Sequence, residues 1–183
     1  MIQIDNESFD EDIEHFSFDI FHRIADMDEL TKLRMLPRLR SATFYDTGLD
    51  DRGLSHVADV STIDNLNLQN TLISDAGLAH LSRLPRLEHL RLKANRQLTN
   101  DCIAHLLRLS AVENLQLHET SIDQRGLDQL AALTNLRDLL VNIEDDNYSF
   151  DALLALSARM PGCTILAKGR GEFRRGAFHG SWD

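Results

Sequence analysis

Residues 87–111 read LEHLRLKANRQLTNDCIAHLLRLSA, and residues 112–135 read VENLQLHETSIDQRGLDQLAALTN. The two segments share one apolar pattern, which is L-x-x-L-x-L in the first and V-x-x-L-x-L in the second. Equivalent segments begin at residues 39, 63 and 136, so that the five starts are separated by 24, 24, 25 and 24 residues. A fixed period of about 20 to 50 residues is the sequence signature of stacked repeats. The sequence therefore predicts a solenoid.

Each unit can be read as a strand, a turn and a short helix. Its first residues alternate between apolar and polar, as a half-buried strand requires. A Thr or Asn follows, where its side chain can bond backbone groups of a turn: Thr47, Thr71, Asn95 and Thr120. A helix N-cap residue comes next: Asp50, Ser74, Thr99, Asp123 and, in the last unit, Ser149. Such a unit cannot enclose a core alone, so it must stack on its neighbours.

The unit resembles the leucine-rich repeat, and within that family the ribonuclease-inhibitor-like and cysteine-containing-like classes. Residues 63–81, IDNLNLQNTLISDAGLAHL, follow the consensus L-x-x-L-x-L-x-x-T-x-I-[ST]-D-x-G-L-x-x-L almost throughout. The resemblance covers residues 39–162. It implies an α/β fold, a right-handed β-α superhelix with a curved parallel sheet on the concave face and helices on the convex face. It also implies a role in protein recognition.

The chain divides into three segments around these units. Residues 39–162 hold five repeats, residues 1–38 form an acidic N-terminal cap, and residues 163–183 form a C-terminal cap strand and a flexible tail. The segment MPGCTI, at residues 160–165, resembles the closing segment of bacterial proteins of this type. The tail is expected to be flexible unless its aromatic residues Phe173, Phe178 and Trp182 dock on the last unit.

The N-terminal cap is expected to contain a degenerate repeat at residues 15–38. Aligned backward from the first full unit, Phe18 and Ile20 take the places of Leu90 and Leu92. Three leucines of the cap keep the phase of the repeat helices: Leu30, Leu33 and Leu36. Before this repeat, an edge strand is expected at residues 1–4, followed by a loose acidic stretch.

Charge and hydropathy limit the partners and the location. The chain has a net charge of −10, and residues 1–38 hold ten acids and four bases. A nucleic-acid duplex would need a basic face for its phosphates, so we expect no nucleic-acid partner. No apolar run approaches the ~20 residues of a membrane span, and the first residues are acidic, unlike a secretory signal. We expect a cytoplasmic monomer that does not bind membranes.

The polar residues of the strands are the candidate binding surface. They form three columns, the third of which runs Tyr45, Gln69, Lys93, His118 and Asn142. A basic cluster near the middle consists of His89, Arg91, Lys93 and His118. Tyr and Arg are common energetic anchors of interfaces. The candidate partner-binding residues are Tyr45, Asn67, Gln69, His89, Arg91, Lys93, Gln116, His118 and Asp138; the other reading of this face is a solvated sheet surface.

No residue pattern indicates catalysis or a cofactor. The acidic run at residues 10–14 and the pair Asp145 and Asp146 lie in polar loops, where acids are normally solvated. The histidines at helix positions 56, 80 and 105 lie on helices ~8–10 Å apart, too far for one zinc ion with bonds of ~2.1 Å. Cys102 and Cys163 fall on apolar positions and are interpreted as core thiols. We therefore expect no enzyme, no metal and no cofactor.

The sequence predicts a non-catalytic protein–protein interaction module that binds a partner protein through its concave face. An immunity-type inhibitor or an adaptor is the narrower form of this expectation. Six strands at ~4.8 Å spacing would give a face on the order of 400 Å², half of one side of a standard interface. The alternative is an enzyme-associated module that binds an anionic small ligand at the cluster of His89, Arg91, Lys93 and His118.

Overall fold

The computed structural model describes residues 1–19, 22–143 and 147–182. The strands of this part of the chain are β1 (Ile2–Ile4), β2 (Glu7–Phe9), β3 (His15–Ser17), β4 (Ser41–Thr43), β5 (Asn65–Asn67), β6 (His89–Arg91), β7 (Asn114–Gln116), β8 (Asp138–Val141), β9 (Thr164–Ala167), β10 (Gly171–Arg174) and β11 (Ala177–Gly180). The α-helices are α1 (Asp51–Val57), α2 (Ile103–Leu106), α3 (Gln124–Gln129) and α4 (Phe150–Arg159). The 3-10 helices are Met27–Met35, Ala76–Arg83, Asn100–Cys102 and Leu130–Ala132.

Strands β3 to β11 form one sheet whose order follows the chain. Strands β3 to β9 are parallel, and each pairs with the next at equivalent positions of the repeat, so that Leu66 lies between Ala42 and Leu90. Strand β10 pairs antiparallel with β9, and β11 pairs antiparallel with β10. The register confirms the repeat alignment for the five units between residues 39 and 162.

One continuous core lies between the sheet and the helices. The central residue of each parallel strand is buried there: Phe16, Ala42, Leu66, Leu90, Leu115, Leu139 and Ile165. The helical leucines at three-residue spacing are buried against them, and so are Cys102 and Cys163, as predicted. Each unit supplies one layer of this core, so its apolar residues are removed from water only when both neighbours are in place.

Side-chain hydrogen bonds join the helix starts of neighbouring units. The residue after one predicted N-cap accepts hydrogen bonds from the predicted N-cap residue of the next unit, or exchanges them with it, at 2.6–3.1 Å. The pairs are Asp51–Ser74, Asp75–Thr99 and Asn100–Asp123. We call this row the cap ladder. It satisfies polar groups beside the buried helix starts, where an unpaired group would be costly.

The turn residues act as predicted. The hydroxyl groups of Thr47, Thr71 and Thr120 each donate to the carbonyl three residues earlier. Asn95 is fully buried; its amide nitrogen donates to the carbonyls of Leu68 and Leu92, and its oxygen accepts from the Thr71 backbone N–H at 2.9 Å. The turns of two units are thereby joined by one side chain.

The N-terminal segment differs from expectation in two ways. Phe16, not Phe18, takes the place of Leu90, because Phe16 pairs in register with the next strand. The cause is spacing: Phe16 precedes Leu30 by 14 positions, whereas Leu66 precedes its helical counterpart Leu78 by 12. Ile20, the other residue of that alignment, lies outside the described residues.

The stretch that follows the first strand is also more ordered than predicted. Strands β1 and β2 form an antiparallel hairpin, with a turn at Asp5 and Asn6, both at positive φ. Asp5 is buried and accepts hydrogen bonds from His22 at 2.8 Å and from the Ala25 backbone N–H at 2.9 Å. Burial opposes ionisation of Asp5, yet these hydrogen bonds prevail and lower its pKa. The hairpin is therefore fixed to the first unit.

The expected flexible tail instead forms the last two strands. Strands β10 and β11 make a two-residue turn at Arg175 and Gly176, both with positive φ, as a tight hairpin requires. Phe173 is fully buried and packs with Phe150, Phe178 and Trp182 at ring-centroid distances of 4.7–5.6 Å. Phe173, Phe178 and Trp182 thus dock on the last unit, and the sequence predicts an ordered tail under this condition. The three-part division of the chain stays a prediction.

Gly77 gives a test of the cap ladder. A Cβ atom at this position would lie 1.9 Å from Oδ1 of Asp51, the carboxylate that accepts from Ser74. We expect Gly77→Ala to lower the free energy of unfolding by about 1–3 kcal/mol, because the carboxylate must move. The control is Gly162→Ala, whose Cβ would meet nothing within 4 Å. Equal urea midpoints for the two variants would contradict the ladder's role.

Candidate functional site

The face of the nine-stranded sheet that points away from the core carries no covering element among the described residues. We call it the open face. Its first column is His15, Ser41, Asn65, His89, Asn114, Asp138 and Thr164. Its second column is Ser17, Thr43, Asn67, Arg91, Gln116, Leu140, Leu166, Glu172 and His179. All of these side chains except Thr164 are exposed or half-buried.

Eight of the nine predicted binding residues lie on or beside this face. Asn67, His89, Arg91, Gln116 and Asp138 are in the two strand columns, as the alternation predicted. Three others lie two positions after the end of a strand and are exposed or half-buried: Tyr45, Gln69 and Lys93. Whether these residues contact a partner stays a prediction.

His118 is the exception, because its side chain is buried rather than part of the surface. It is 3% exposed, and burial, followed by the charges of Lys168 and Lys93, lowers its pKa to about 4. The backbone is not the cause, because Tyr45, Gln69 and Lys93 also lie two positions after a strand and before a residue with positive φ, and they are not buried. The difference lies in the neighbours of His118, which include Lys168, Lys93 and Glu119. His118 is therefore neutral at pH 7 and adds no positive charge to the predicted cluster. Asn142, in the same column, is also buried.

The remaining charge of the cluster is partly neutralised. Glu119 lies 3.7 Å from the Nζ atom of Lys93 and 3.6 Å from that of Lys168. Arg91 has a buried Nε atom without a hydrogen-bond partner among the described residues. The cluster can supply hydrogen-bond donors, but the charge of its one lysine, Lys93, is partly offset by Glu119, which Lys93 shares with Lys168.

A depression of about 330 Å³ lies over strands β3 to β7 of the open face. Its lining residues are His15, Ser41, Thr43, Asn65, Asn67, His89, Leu90, Arg91, Asn114 and Gln116. Amide, hydroxyl, imidazole and guanidinium groups dominate this lining, so it can donate and accept hydrogen bonds along its whole length. The residue types suit recognition of polar groups on a protein surface.

The C-terminal hairpin makes a contribution to the open face that was not predicted from the sequence. Strand β10 places Glu172 beside Leu166, and β11 places His179 beside Glu172, so two more strands extend the open face. The signal was present: Phe173 and Phe178 are symmetrically placed about the turn residues Arg175 and Gly176. Apolar residues at equal distances from an X-Gly pair are typical of a tight hairpin.

The chemistry of the described residues does not indicate an active site. Among them, no group of three or more His, Cys, Asp or Glu residues is placed to hold a metal ion. His56 instead pairs with Asp28, at 3.0 Å. Burial raises the pKa of both Cys102 and Cys163 to about 12, so neither is a thiolate nucleophile near neutral pH. Asp145 and Asp146, the acidic pair of the sequence analysis, lie outside the described residues.

The described part of the chain contains no helix with the length and apolar character needed to cross a membrane. The cytoplasmic location stays a prediction.

The fold is similar to that of internalins, which are leucine-rich repeat proteins. Internalin C2 from Listeria monocytogenes matches 79% of this chain at 22% sequence identity and a TM-score of 0.54. The fold is of the leucine-rich repeat type. This chain covers 65% of the length of that internalin. A second internalin of the same organism, inlF, matches 85% of this chain at 14% identity and a TM-score of 0.47, and this chain covers 55% of it.

No protein-family model matches the sequence, and no curated protein matches it. The likeness to internalin C2 is a likeness of fold, since its sequence identity is 22%. The leucine-rich repeat architecture accounts for the parallel sheet and the short helices. The function has to be argued from the open face itself.

The buried His118 predicts a pH dependence of stability. Its folded pKa, about 4, lies below the ordinary value of 6.5, so the unfolded chain takes up the proton first as the pH falls. Stability should therefore decrease between pH 6.5 and pH 4 by up to about 3 kcal/mol from this group. The measurement is urea unfolding of the wild type and of His118→Gln at several pH values. Parallel pH profiles for the two proteins would show that His118 does not titrate in this way.

Proposed function

We propose that the protein is a non-catalytic leucine-rich repeat module that binds a partner protein through its open face. The observation that supports this is the continuous surface formed by nine strands in register, lined by polar side chains and left uncovered by the described residues. A fold of this type found in internalins adds support for protein interaction. The ribonuclease-inhibitor-like class remains our proposal for the repeat, because the consensus of residues 63–81 fits it.

The size of the face is compatible with this role. Nine strands have eight spacings of ~4.8 Å, which give a width of about 38 Å, and a strand of three residues together with the two residues that follow it adds about 15 Å in length. The resulting area, about 600 Å², approaches the ~800 Å² that each partner contributes to a standard interface. The six strands predicted from the sequence would give a smaller area, and the C-terminal hairpin supplies part of the difference.

The charge of the open face restricts the partner. The C-terminal half of the open face carries more bases than acids: Arg91, Lys93, Lys168, Arg170 and Arg174 against Glu119, Asp138 and Glu172. This half is thus slightly positive although the whole chain has a net charge of −10. An adaptor or an immunity-type inhibitor that used this face would suit a neutral or acidic partner better than a basic one.

The alternative, binding of an anionic small ligand at the cluster of His89, Arg91, Lys93 and His118, has less support. His118 is buried and neutral, and Glu119 offsets Lys93. The buried Nε atom of Arg91 without a partner is the one feature that favours it. Thermal stabilisation of the purified protein by phosphate or nucleotides, with no protein partner recovered, would support this alternative.

Charge reversal in the middle of the open face tests the proposal. We expect Arg91→Glu combined with Lys93→Glu to abolish capture of the partner from an extract of the source cells, because both side chains lie at the centre of the face. The capture is measured by quantitative mass spectrometry with immobilised protein. The melting temperature should change little, since neither side chain is part of the core.

The matched control is Arg86→Glu combined with Arg108→Glu. Both arginines are exposed, lie outside the open-face columns and produce the same change in net charge. The control should retain every protein that the wild type captures. Loss of the same protein in both double variants, or in neither, would place the binding site elsewhere.

A further inference from the structure

The open face changes its chemistry at the C-terminal end. Its second column is polar from β3 to β7 and then continues with Leu140 and Leu166, which are register partners and both half-buried. A depression of about 670 Å³ lies over these two leucines. Its charged or ionisable lining residues are Lys168, Arg170, Glu172 and His179. A depression with an apolar floor of this kind suits an apolar side chain better than a phosphate or a sugar.

A second depression, of about 810 Å³, adjoins the first and shares His179 with it. Its lining includes Arg137, Arg174, Arg175 and Asp138. Taken together, the two depressions are lined by five Lys or Arg residues and two Asp or Glu residues. This part of the surface is therefore positive on a chain that is acidic as a whole.

Three of the five bases have nearby carboxylates. Arg137 pairs with Glu113 at 3.0 Å, Arg174 with Glu172 at 3.5 Å, and Lys168 with Glu119 at 3.6 Å.

The other two bases have no carboxylate within ion-pair distance among the described residues. Arg170 donates to the carbonyl of Trp182, and Arg175 donates to the carbonyl of Pro161 at 3.3 Å. Each guanidinium group keeps further N–H donors for a ligand, because it carries five. The positive charge that no carboxylate offsets thus lies just beyond the two ends of strand β10, at Arg170 and Arg175.

We propose that the C-terminal end of the open face binds an extended acidic segment of a partner protein, with an apolar side chain over Leu140 and Leu166 and carboxylates near Arg170 and Arg175. The charge complementarity selects an acidic segment over a second copy of this basic surface. The proposal rests on the open face being a protein-binding surface. Arg170 and Arg175 are five positions apart, about 16 Å along an extended chain, so the segment between its acidic ends should also be about five residues long.

A peptide panel tests this with purified full-length protein. The probe is a fluorescein-labelled peptide of about nine residues with a central Leu, Asp or Glu at both ends and Ser or Gly between them. We expect saturable binding by fluorescence anisotropy that weakens as NaCl is raised from about 50 mM to about 500 mM. Replacing the central Leu by Ser, or the acids by Asn and Gln, should each weaken binding about tenfold. Equal binding of all three peptides would overturn the proposal.

Variants of the protein locate the site. Arg170→Gln combined with Arg175→Asn removes both charges, and Asn tolerates the positive φ of position 175. Leu140→Gln removes half of the apolar floor. We expect each protein to bind the acidic peptide about tenfold more weakly than the wild type. The control is Arg86→Gln combined with Arg108→Asn, which removes the same charge from outside the open face and should leave binding unchanged.

The outcomes separate this proposal from the general one. If partner capture depends on Arg91 and Lys93 but the acidic peptide does not bind, the open face is the binding surface and the acidic-segment proposal is wrong. If the peptide binds and Arg170, Arg175 and Leu140 are required, the proposal is supported even when capture does not depend on Arg91. Binding of a single-stranded oligonucleotide through these arginines, without peptide binding, would replace the protein segment by a nucleic acid.

Discussion

The in-register stacking of one strand per unit is the constraint on which the rest of the structure depends. A 24-residue unit has too few apolar residues to form a core, so each buried layer exists only between two neighbours. The backbone ladder holds the strands in register, and the cap ladder holds the helix starts in register at the other edge of the unit. A shift of one residue at either edge would place leucines in water and polar side chains in the core.

The same constraint produces the open face. Because each parallel strand buries its central residue, the two flanking residues must point to the open face, and stacking converts them into columns. These positions contribute little to the core, so their side chains can differ from unit to unit at little cost in stability. The columns therefore combine a fixed backbone with variable chemistry, from amides near β5 to leucines at β8 and β9. Rigid placement of varied side chains reduces the entropy lost on binding.

The repeat period of the sequence predicted most of the buried and turn residues. The predictions failed in the first unit, at His118 and in the C-terminal hairpin. Within residues 39–135 the buried leucines, the turn residues and the N-caps Asp50, Thr99 and Asp123 follow from the spacing alone, whereas the helix Ala76–Arg83 has Asp75 rather than the predicted Ser74 as its N-cap. Phe18 was assigned the place that Phe16 occupies, because the first unit has two additional residues between its strand and its helix. His118 was assigned to the surface by the alternation that holds for the equivalent Gln69 and Lys93, and this alternation carries no information about the neighbouring side chains that bury it. The terminal hairpin was not predicted because it replaces the repeat by antiparallel pairing, for which the repeat pattern carries no information.

The aromatic end of the chain also limits how the architecture can vary. Every interface between β4 and β8 joins two equivalent surfaces, so a duplicated unit inserted there would find suitable neighbours on both sides. Beyond β9 the situation is different, since Phe173, Phe178 and Trp182 cover the last apolar layer and the strand direction reverses. The solenoid could thus be lengthened by duplication of an internal unit. A unit added after Ala167 would instead require a new arrangement of the three aromatic residues that cover the last apolar layer.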